Sequence, residues 1–559
     1  MSRVFVWVFA IAGCGADSGA TIAPPDAGST SPTTVWLTPT QHLARASLAL
    51  RGVRPSIDDL RAVDADPTKL PSIVDGYLAT NEFGETMIDL HNESLLLRTE
   101  FPLLVLPVEA PLTGASFTDM AHAYDEPLRL IEDIVMTDQP YTQIVTANYT
   151  MANGVVAAVW GLPHTKPADV WERATWPDGR DPAGILATSI IWERWRSTGF
   201  NFNRGRANMV SRALLCHDFL DSDIAVDTSV DLSDPDKVAH AVVENASCAA
   251  CHQALDPLAS YLFPNYARNI TSYPTSTYDA TKAKLWKTTN ERPPGFFGDA
   301  PVGIGGLGQA IAADPRFSQC AAIHFASFLG EIPDDRLAGD WIARLQQTFE
   351  ASHYSAKQLA KAVVLSDEFR VGGDTDPARA ELAIGYAKLR PEQMQRMLVD
   401  LTGFEWTTEA KGKVGFDPIG HIDLLESDLA GFRALAGGID SYFVTSPVLT
   451  MNVTSSLTAK LGSGAAADFV IEHDAAADPS ARTVMTQAAV TDTDETHVRA
   501  ELAYLHARIY SELVDPHDPS VDDTYALFQA ALATTGGDAK RTWKLTLVGM
   551  LSDLRSQYY

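Results

Sequence analysis

The residues best suited to chemistry in this 559-residue chain are Cys248, Cys251 and His252, which form the pattern C-x-x-C-H. Residues three and four positions apart lie on one face of an α-helix. Two thiols in that arrangement can form thioethers to the two vinyl groups of one porphyrin, and the adjacent imidazole can bind its iron. The pattern therefore predicts one covalent c-type haem, with His252 as the proximal iron ligand.

Two other uses of the paired cysteines stay open. A C-x-x-C pair can form a disulfide or supply half of a zinc site. Zinc would need two further ligands, and the sequence has no second C-x-x-C and no histidine pair at zinc-finger spacing. A Cys248–Cys251 disulfide in a protein without haem is therefore the main alternative.

The first residues have the pattern of a short export signal. Arg3 precedes an apolar run over residues 4–11, and Cys14 ends a sequence that looks like the lipobox of bacterial lipoproteins. Residues 1–13 are therefore predicted to be a signal peptide, and Cys14 to carry lipid. Residues 14–36 are rich in small and polar side chains and predict a flexible tether. We expect a lipid-anchored protein of the cell envelope, facing the periplasm or the surface, with the outer membrane favoured.

The cysteine count completes this interpretation. Of five cysteines, Cys14 would carry lipid and Cys248 and Cys251 would carry haem, which leaves Cys216 and Cys320. An even pair in an oxidising compartment predicts a disulfide. We therefore expect a Cys216–Cys320 bond whose loop encloses the C-x-x-C-H helix.

The second axial ligand of the iron is less well specified. No methionine lies between Met209 and Met394, so the usual downstream methionine loop is missing. Methionine raises the potential, histidine lowers it, and an open position permits small-molecule chemistry. His324 is the first candidate, because the expected disulfide would tie it to the haem module. The other candidates are His217, His240, His353 and Met209.

Apolar residues recur at intervals of three and four along most of the chain, which predicts a mainly α fold. The predicted parts are an N-terminal helical domain (37–200), a cytochrome c-like module with closing helices (201–373) and a C-terminal helical domain (374–559). Similar sequences at 37–41 and 389–393 indicate a weak internal duplication, with chance similarity as the alternative.

Local signals also bound the elements around the motif. Ser247 is predicted to cap the motif helix, and Asp256-Pro257 to end it. Residues 303–308 formally match G-x-G-x-x-G, but no strand precedes them. They predict a flexible turn before a helix over 307–313 rather than a nucleotide site.

Charge and aromatic content narrow the partners. The net charge of -28, from 71 acidic and 43 basic residues, argues against binding nucleic acid or an anionic lipid surface. Arg204, Arg206 and Arg212 follow a tryptophan-rich region. These arginines could contact haem propionates, but a core wall with solvated arginines is the favoured interpretation.

Taken together, these residues resemble an uncharacterised family of exported, multidomain bacterial proteins with a cytochrome c-like C-x-x-C-H module. The resemblance spans roughly residues 37–370 and, more weakly, the C-terminal half. After Asp-Pro-Leu the family continues with glycine and an Asn-Phe-Asp run, whereas this chain has other residues at 259–265. The resemblance implies a haem and an exported location, and no reaction. The stretches that carry it are 140–153, 184–216, 248–258 and 314–320.

Three functions are therefore compared below. The first is an envelope lipoprotein whose covalent haem transfers electrons or senses redox state, with another redox protein as its partner. The second is a haem enzyme, such as a peroxidase-like oxidoreductase with an open distal position. The third is a structural or binding surface lipoprotein without haem.

Overall fold

The computed structural model describes residues 33–99, 121–197, 201–221, 227, 229–231, 233–266, 277–376, 385–414 and 417–559. The predicted signal peptide, Cys14 and most of the predicted tether lie outside these residues. Within the described part the fold is mainly α, which confirms the predicted fold class. None of the helices described has the length and apolar content needed to cross a bilayer.

Fifteen α-helices are described before residue 374. They are α1 (Pro39–Arg51), α2 (Ile57–Ala65), α3 (Leu70–Tyr77), α4 (Asn81–Leu95), α5 (Glu126–Met136), α6 (Gly154–Trp160), α7 (Ser189–Arg194), α8 (Arg204–Leu215), α9 (Pro235–Glu244), α10 (Ala246–Ser260), α11 (Gly303–Ala313), α12 (Pro315–Gly330), α13 (Gly339–Ala351), α14 (Ala356–Val364) and α15 (Asp367–Arg370).

The remaining described residues add seven helices and a π-helical segment at His506–Tyr510 that extends α19. The helices are α16 (Pro391–Thr402), α17 (Phe432–Leu435), α18 (Val453–Ala476), α19 (Glu495–Leu505), α20 (Pro519–Thr534), α21 (Ala539–Leu551) and α22 (Leu554–Gln557).

Strands are few and pair only as antiparallel ribbons. β1 (Thr34–Trp36) pairs with β4 (Val371–Asp374), and the register places Thr34 opposite Asp374. β2 (Thr150–Ala152) pairs with β3 (Glu172–Ala174), and β5 (Thr407–Val414) with β6 (Asp417–Asp423).

One buried apolar core runs through the described chain, from Leu43 in α1 to Tyr559 at the last residue. It crosses both predicted domain boundaries, at residues 200/201 and 373/374. Those boundaries stay predictions. The packing nevertheless joins the parts, since Gln393 of α16 donates from its side chain to the carbonyl oxygen of Leu48 at 3.1 Å.

The two similar sequences, residues 37–41 and 389–393, have the same local structure. Thr38 and Arg390 each donate a backbone N–H to a glutamine side chain three residues later, at 3.0 and 2.9 Å. Each following helix starts with proline and ends at a left-handed glycine, Gly52 or Gly403. The two stretches thus share their helix caps, and the internal duplication stays a prediction.

In both helical parts of the chain, residues just before the first helix pair with residues after the last one. β1 precedes α1 and pairs with β4 after α15, while Ala387 before α16 exchanges two backbone hydrogen bonds with Tyr559 at 2.9 and 3.0 Å. The tether predicted over residues 14–36 therefore extends too far, because residues 34–36 are held in a strand.

The motif helix differs from its predicted limits at both ends. Asn245, rather than Ser247, caps α10, and its side chain accepts from the backbone N–H groups of Ser247 and Cys248. The helix continues through Pro257 to Ser260. A proline inside a helix loses one hydrogen bond. Burial of the residues after it outweighs that loss, since Leu258 and Ala259 are buried in the core.

The glycine-rich run is helical and does not form the predicted flexible turn. α11 starts at Gly303, and a Cβ on Gly308 would lie 2.0 Å from the carbonyl oxygen of Val145. A Cβ on Gly305 would lie 3.0 Å from the carbonyl oxygen of Pro182. The glycines therefore let this helix approach neighbouring backbone, which explains a glycine run without a nucleotide.

Candidate functional site

The C-x-x-C-H residues lie in the first half of α10, against which α8 and α9 pack. Cys248 and Cys251 are half-buried and are not joined in a disulfide. The Sγ atom of Cys251 lies 3.9 Å from the carbonyl oxygen of Phe219. Cβ atoms three residues apart on a helix are about 5–6 Å apart, wider than the about 3.5–4.5 Å in a disulfide. The two sulfurs are unbonded here, and the alternative Cys248–Cys251 disulfide stays a prediction for a protein without haem.

His252 is oriented by a carboxylate one helical turn further on. Its Nδ1 atom lies 3.0 Å from Oδ1 of Asp256, and the ring is half-buried. A neutral imidazole that donates its Nδ1 proton to this carboxylate has its lone pair on Nε2, which is the tautomer that binds a metal through Nε2.

Asp256 is itself fixed by an arginine from a neighbouring helix. Nε and Nη2 of Arg204, in α8, donate to its two carboxylate oxygens at 2.6 and 3.0 Å. Burial alone would raise the pKa of Asp256, but the hydrogen bonds from His252 and Arg204 hold that pKa below its ordinary value. Asp256 is therefore an anion at neutral pH, and its negative charge strengthens the imidazole of His252 as an electron donor.

Aromatic side chains lie beside Cys251. His217, Phe219 and Phe297 form what we call the aromatic shelf. The rings of Phe219 and Phe297 are parallel within 5° with centroids 6.2 Å apart, and His217 meets Phe219 edge-on at 4.7 Å. Phe297 is 36 % exposed, and the guanidinium of Arg316 covers its ring at 3.9 Å. Phe219 is buried and Phe297 is the exposed phenylalanine of the pair, so the shelf offers a flat apolar ligand one accessible phenylalanine ring beside the motif.

The predicted Cys216–Cys320 disulfide is confirmed, with the two Cα atoms 5.3 Å apart. It joins the C-terminal end of α8 to α12, and its loop encloses the motif helix. His324, one turn after Cys320, faces this bridge. Its Nε2 lies 3.6 Å from Sγ of Cys216 and 3.7 Å from Sγ of Cys320. The contacts of His324 are therefore with the disulfide, and its assignment as distal ligand stays a prediction.

The other candidate ligands differ in their surroundings. Met209 is buried in the core on α8. His240 is exposed on α9, where a hydrogen bond from Nδ1 to the carbonyl oxygen of Asp236 raises its pKa. His353 is exposed in the turn after α13. Among these candidates, His217 contacts the ring of Phe219, whose backbone carbonyl oxygen lies 3.9 Å from Sγ of Cys251.

Sequence reasoning missed the roles of Asp256 and Arg204. The His252–Asp256 pair was visible as an i,i+4 spacing on one helix face, whereas the partner on α8 depends on tertiary packing. We expected Arg204, Arg206 and Arg212 to be solvated beside a tryptophan core wall. The tryptophan core is present, but Arg206 is not solvated. Arg206 is buried and donates to the backbone carbonyls of Trp192, Trp195 and Asn265 at 2.6–2.9 Å.

Comparison of the chain with protein families, curated proteins and solved structures gave no match. We therefore infer the function from the chemistry of the residues around α10.

Proposed function

We propose that this protein is an envelope lipoprotein that carries one covalent c-type haem and uses it to transfer electrons or to sense redox state. The observation that carries the proposal is the hydrogen bond from Nδ1 of His252 to Asp256. Histidines that bind metals usually donate their other ring N–H to a carboxylate or carbonyl oxygen. A histidine that binds no metal has no need of such a carboxylate. Here Asp256 is in addition held in place by Arg204.

The donor set fits a c-type haem. Cys248 and Cys251 lie on one helix and are not joined in a disulfide, so both sulfurs can form thioether bonds, and His252 follows immediately. The aromatic shelf supplies apolar area beside Cys251. Such a haem supplies one-electron exchange between ferric and ferrous iron. This chain holds the imidazole in one tautomer, keeps Asp256 charged and leaves the motif half-exposed.

Partial exposure favours electron transfer or redox sensing over chemistry in a closed pocket. Cys248, Cys251 and His252 are all half-buried, so a porphyrin edge attached there would remain accessible to a partner. The excess of acidic residues in the chain suits a basic redox partner. Electron transfer to such a partner should slow as salt is added, because salt screens the attraction.

A peroxidase-like oxidoreductase is the second candidate, and the Asp256–His252 pair also favours it. A proximal imidazole made more basic by a carboxylate stabilises oxidised iron. A high-spin spectrum and reaction with peroxide would identify this function. A low-spin spectrum and no peroxide reaction would exclude it and leave the first.

The first test is whether haem is attached. The full chain is expressed with c-type haem attachment machinery, and the envelope fraction is examined by pyridine haemochrome spectrum and by haem-stained denaturing gel. We expect a c-type spectrum and a stained band. Cys248→Ser/Cys251→Ser should lose the stain, and His240→Ala, which changes an exposed histidine on α9, should keep it.

The same experiment separates the third function from the other two. A protein without haem, whose Cys248 and Cys251 are found as a disulfide, would contradict both redox functions. It would leave a structural or binding lipoprotein. Fractionation with labelled fatty acid tests the anchor separately, since Cys14→Ser should abolish lipid labelling.

A further inference from the structure

A second group of metal-binding side chains lies away from the motif. Sγ of Cys216, Sγ of Cys320 and Nε2 of His324 all lie within 4.8 Å of one another. The two sulfurs form the disulfide between α8 and α12, and the imidazole meets both sulfurs at nearly equal distances. Three donor atoms of soft or borderline character therefore converge on one point.

The imidazole is poorly satisfied as a hydrogen-bonding group. Among the described residues, the contacts found for its Nε2 atom are the two disulfide sulfurs, which are weak acceptors. His324 is half-buried, and a polar group withdrawn from water without a good partner is costly. Burial lowers the pKa of His324, and Arg212 lowers it further while Asp334 opposes this. His91, packed nearby, adds no negative charge. The ring is therefore neutral, the form that binds metals.

We propose that reduction of the Cys216–Cys320 disulfide creates a three-ligand site for a soft d¹⁰ cation, with Cu⁺ as the preferred ion. A dithiol reductant transfers two electrons and two protons, so the S–S bond breaks and two thiols form. The cation then displaces both thiol protons, and the two thiolates bind it together with Nε2 of His324. The oxidised reductant leaves as a disulfide.

Ligand chemistry selects the ion. Thiolates prefer Cu⁺ and Zn²⁺ among the common metals. Zinc takes four ligands, and the cluster in the described residues contains three. A three-coordinate soft ion fits this number without a further group. Cys216 is exposed and gives both the reductant and the ion access, while Cys320 is buried.

The site is tested with the full chain in which Cys14, Cys248 and Cys251 are replaced by serine. This parent protein cannot carry a c-type haem, so the result does not depend on the proposed function. After reduction with a phosphine and its removal under argon, Cu⁺ is titrated in competition with a chromophoric chelator. We expect one Cu⁺ bound per reduced chain, and no binding by the oxidised chain.

His324→Ala in the same background removes one of the three ligands and should weaken binding by at least about tenfold, the loss caused by removing even a side chain that supports a ligand. His353→Ala is the matched control, since it removes an exposed histidine in the turn after α13. X-ray absorption of the copper-loaded parent should give two sulfur ligands and one nitrogen, and it does not depend on the folding of a variant. Equal competition by the reduced and oxidised parent, or a sulfur-only spectrum, would overturn the proposal.

Discussion

Replacement of Asp256 by asparagine tests the central argument about His252 most directly. Asparagine keeps the shape of the side chain but not its charge. The carboxylate accepts one bond from His252 and two from Arg204. A neutral amide cannot satisfy both donors in this way, and in the proposed haem protein it would no longer stabilise the charge of ferric iron through His252.

The size of the effect follows from two quantities. Loss of a carboxylate that supports a metal-bound histidine costs about 10–100-fold in metal binding. If this loss falls on the ferric form, the midpoint potential rises by about 60–120 mV, since tenfold corresponds to about 59 mV for one electron. The Asp256 side chain is 1 % exposed and that of Arg204 is 21 % exposed. Breaking this pair should therefore also lower the free energy of unfolding by about 3 kcal/mol.

The assay is a redox titration of the haem-loaded protein, followed by its absorbance, with urea denaturation in parallel. The matched control is Glu392→Gln, because Glu392 forms a comparably buried pair with Arg433 at 2.7 Å but contacts no histidine of the motif. Both variants should lose stability, and only Asp256→Asn should change the potential. A potential equal to that of the wild type in Asp256→Asn would refute the role assigned to this carboxylate.

Further predictions concern the fold around the site. Burial raises the pKa of Glu126 from 4.5 to about 8, so its contribution to stability is present below pH 4.5 and lost as the pH rises through about 8. Glu126→Gln should therefore gain about 3 kcal/mol over the wild type at pH 7 and little at pH 4, as urea denaturation at both values would measure. Cys216→Ala/Cys320→Ala should lower the free energy of unfolding by about 4–5 kcal/mol, the entropy of a loop of about 100 residues; equal melts with and without reductant would contradict this. Gly308→Ala should cost about 1–3 kcal/mol in a thermal melt because its Cβ has no room, whereas Gly464→Ala, with open space in α18, should cost nothing.

Features that depend on residues close together in the sequence, such as helix caps, were mostly predicted. The cap at Thr38 with Gln41 and the glycine after α1 follow from spacing alone, and both are present. The Cys216–Cys320 bond followed from counting cysteines. Pro257 was misjudged, because a break is a local tendency while the burial of Leu258 depends on the whole fold.

At the candidate site, too, contacts within one helix could be predicted and contacts between helices could not. His252 and Asp256 are four residues apart on one helix, so their contact could be predicted. Arg204 is 52 residues before Asp256, and only the packing of α8 on α10 brings the two together. The orientation of His324 toward two sulfurs likewise needed the positions of α8 and α12.

The disulfide also constrains how the chain is made. Of the four cysteines that follow Cys14, Cys216 is the first and Cys320 the last, with Cys248 and Cys251 between them. A chain threaded N-terminus first into an oxidising compartment exposes Cys216 together with the motif thiols before Cys320 arrives. An oxidase that joins neighbouring cysteines as they emerge would then produce the wrong bond. If the chain is exported as proposed, its biogenesis needs either capture of the motif thiols before Cys320 emerges or a disulfide isomerase afterwards, and a strain without that isomerase should accumulate mispaired chains.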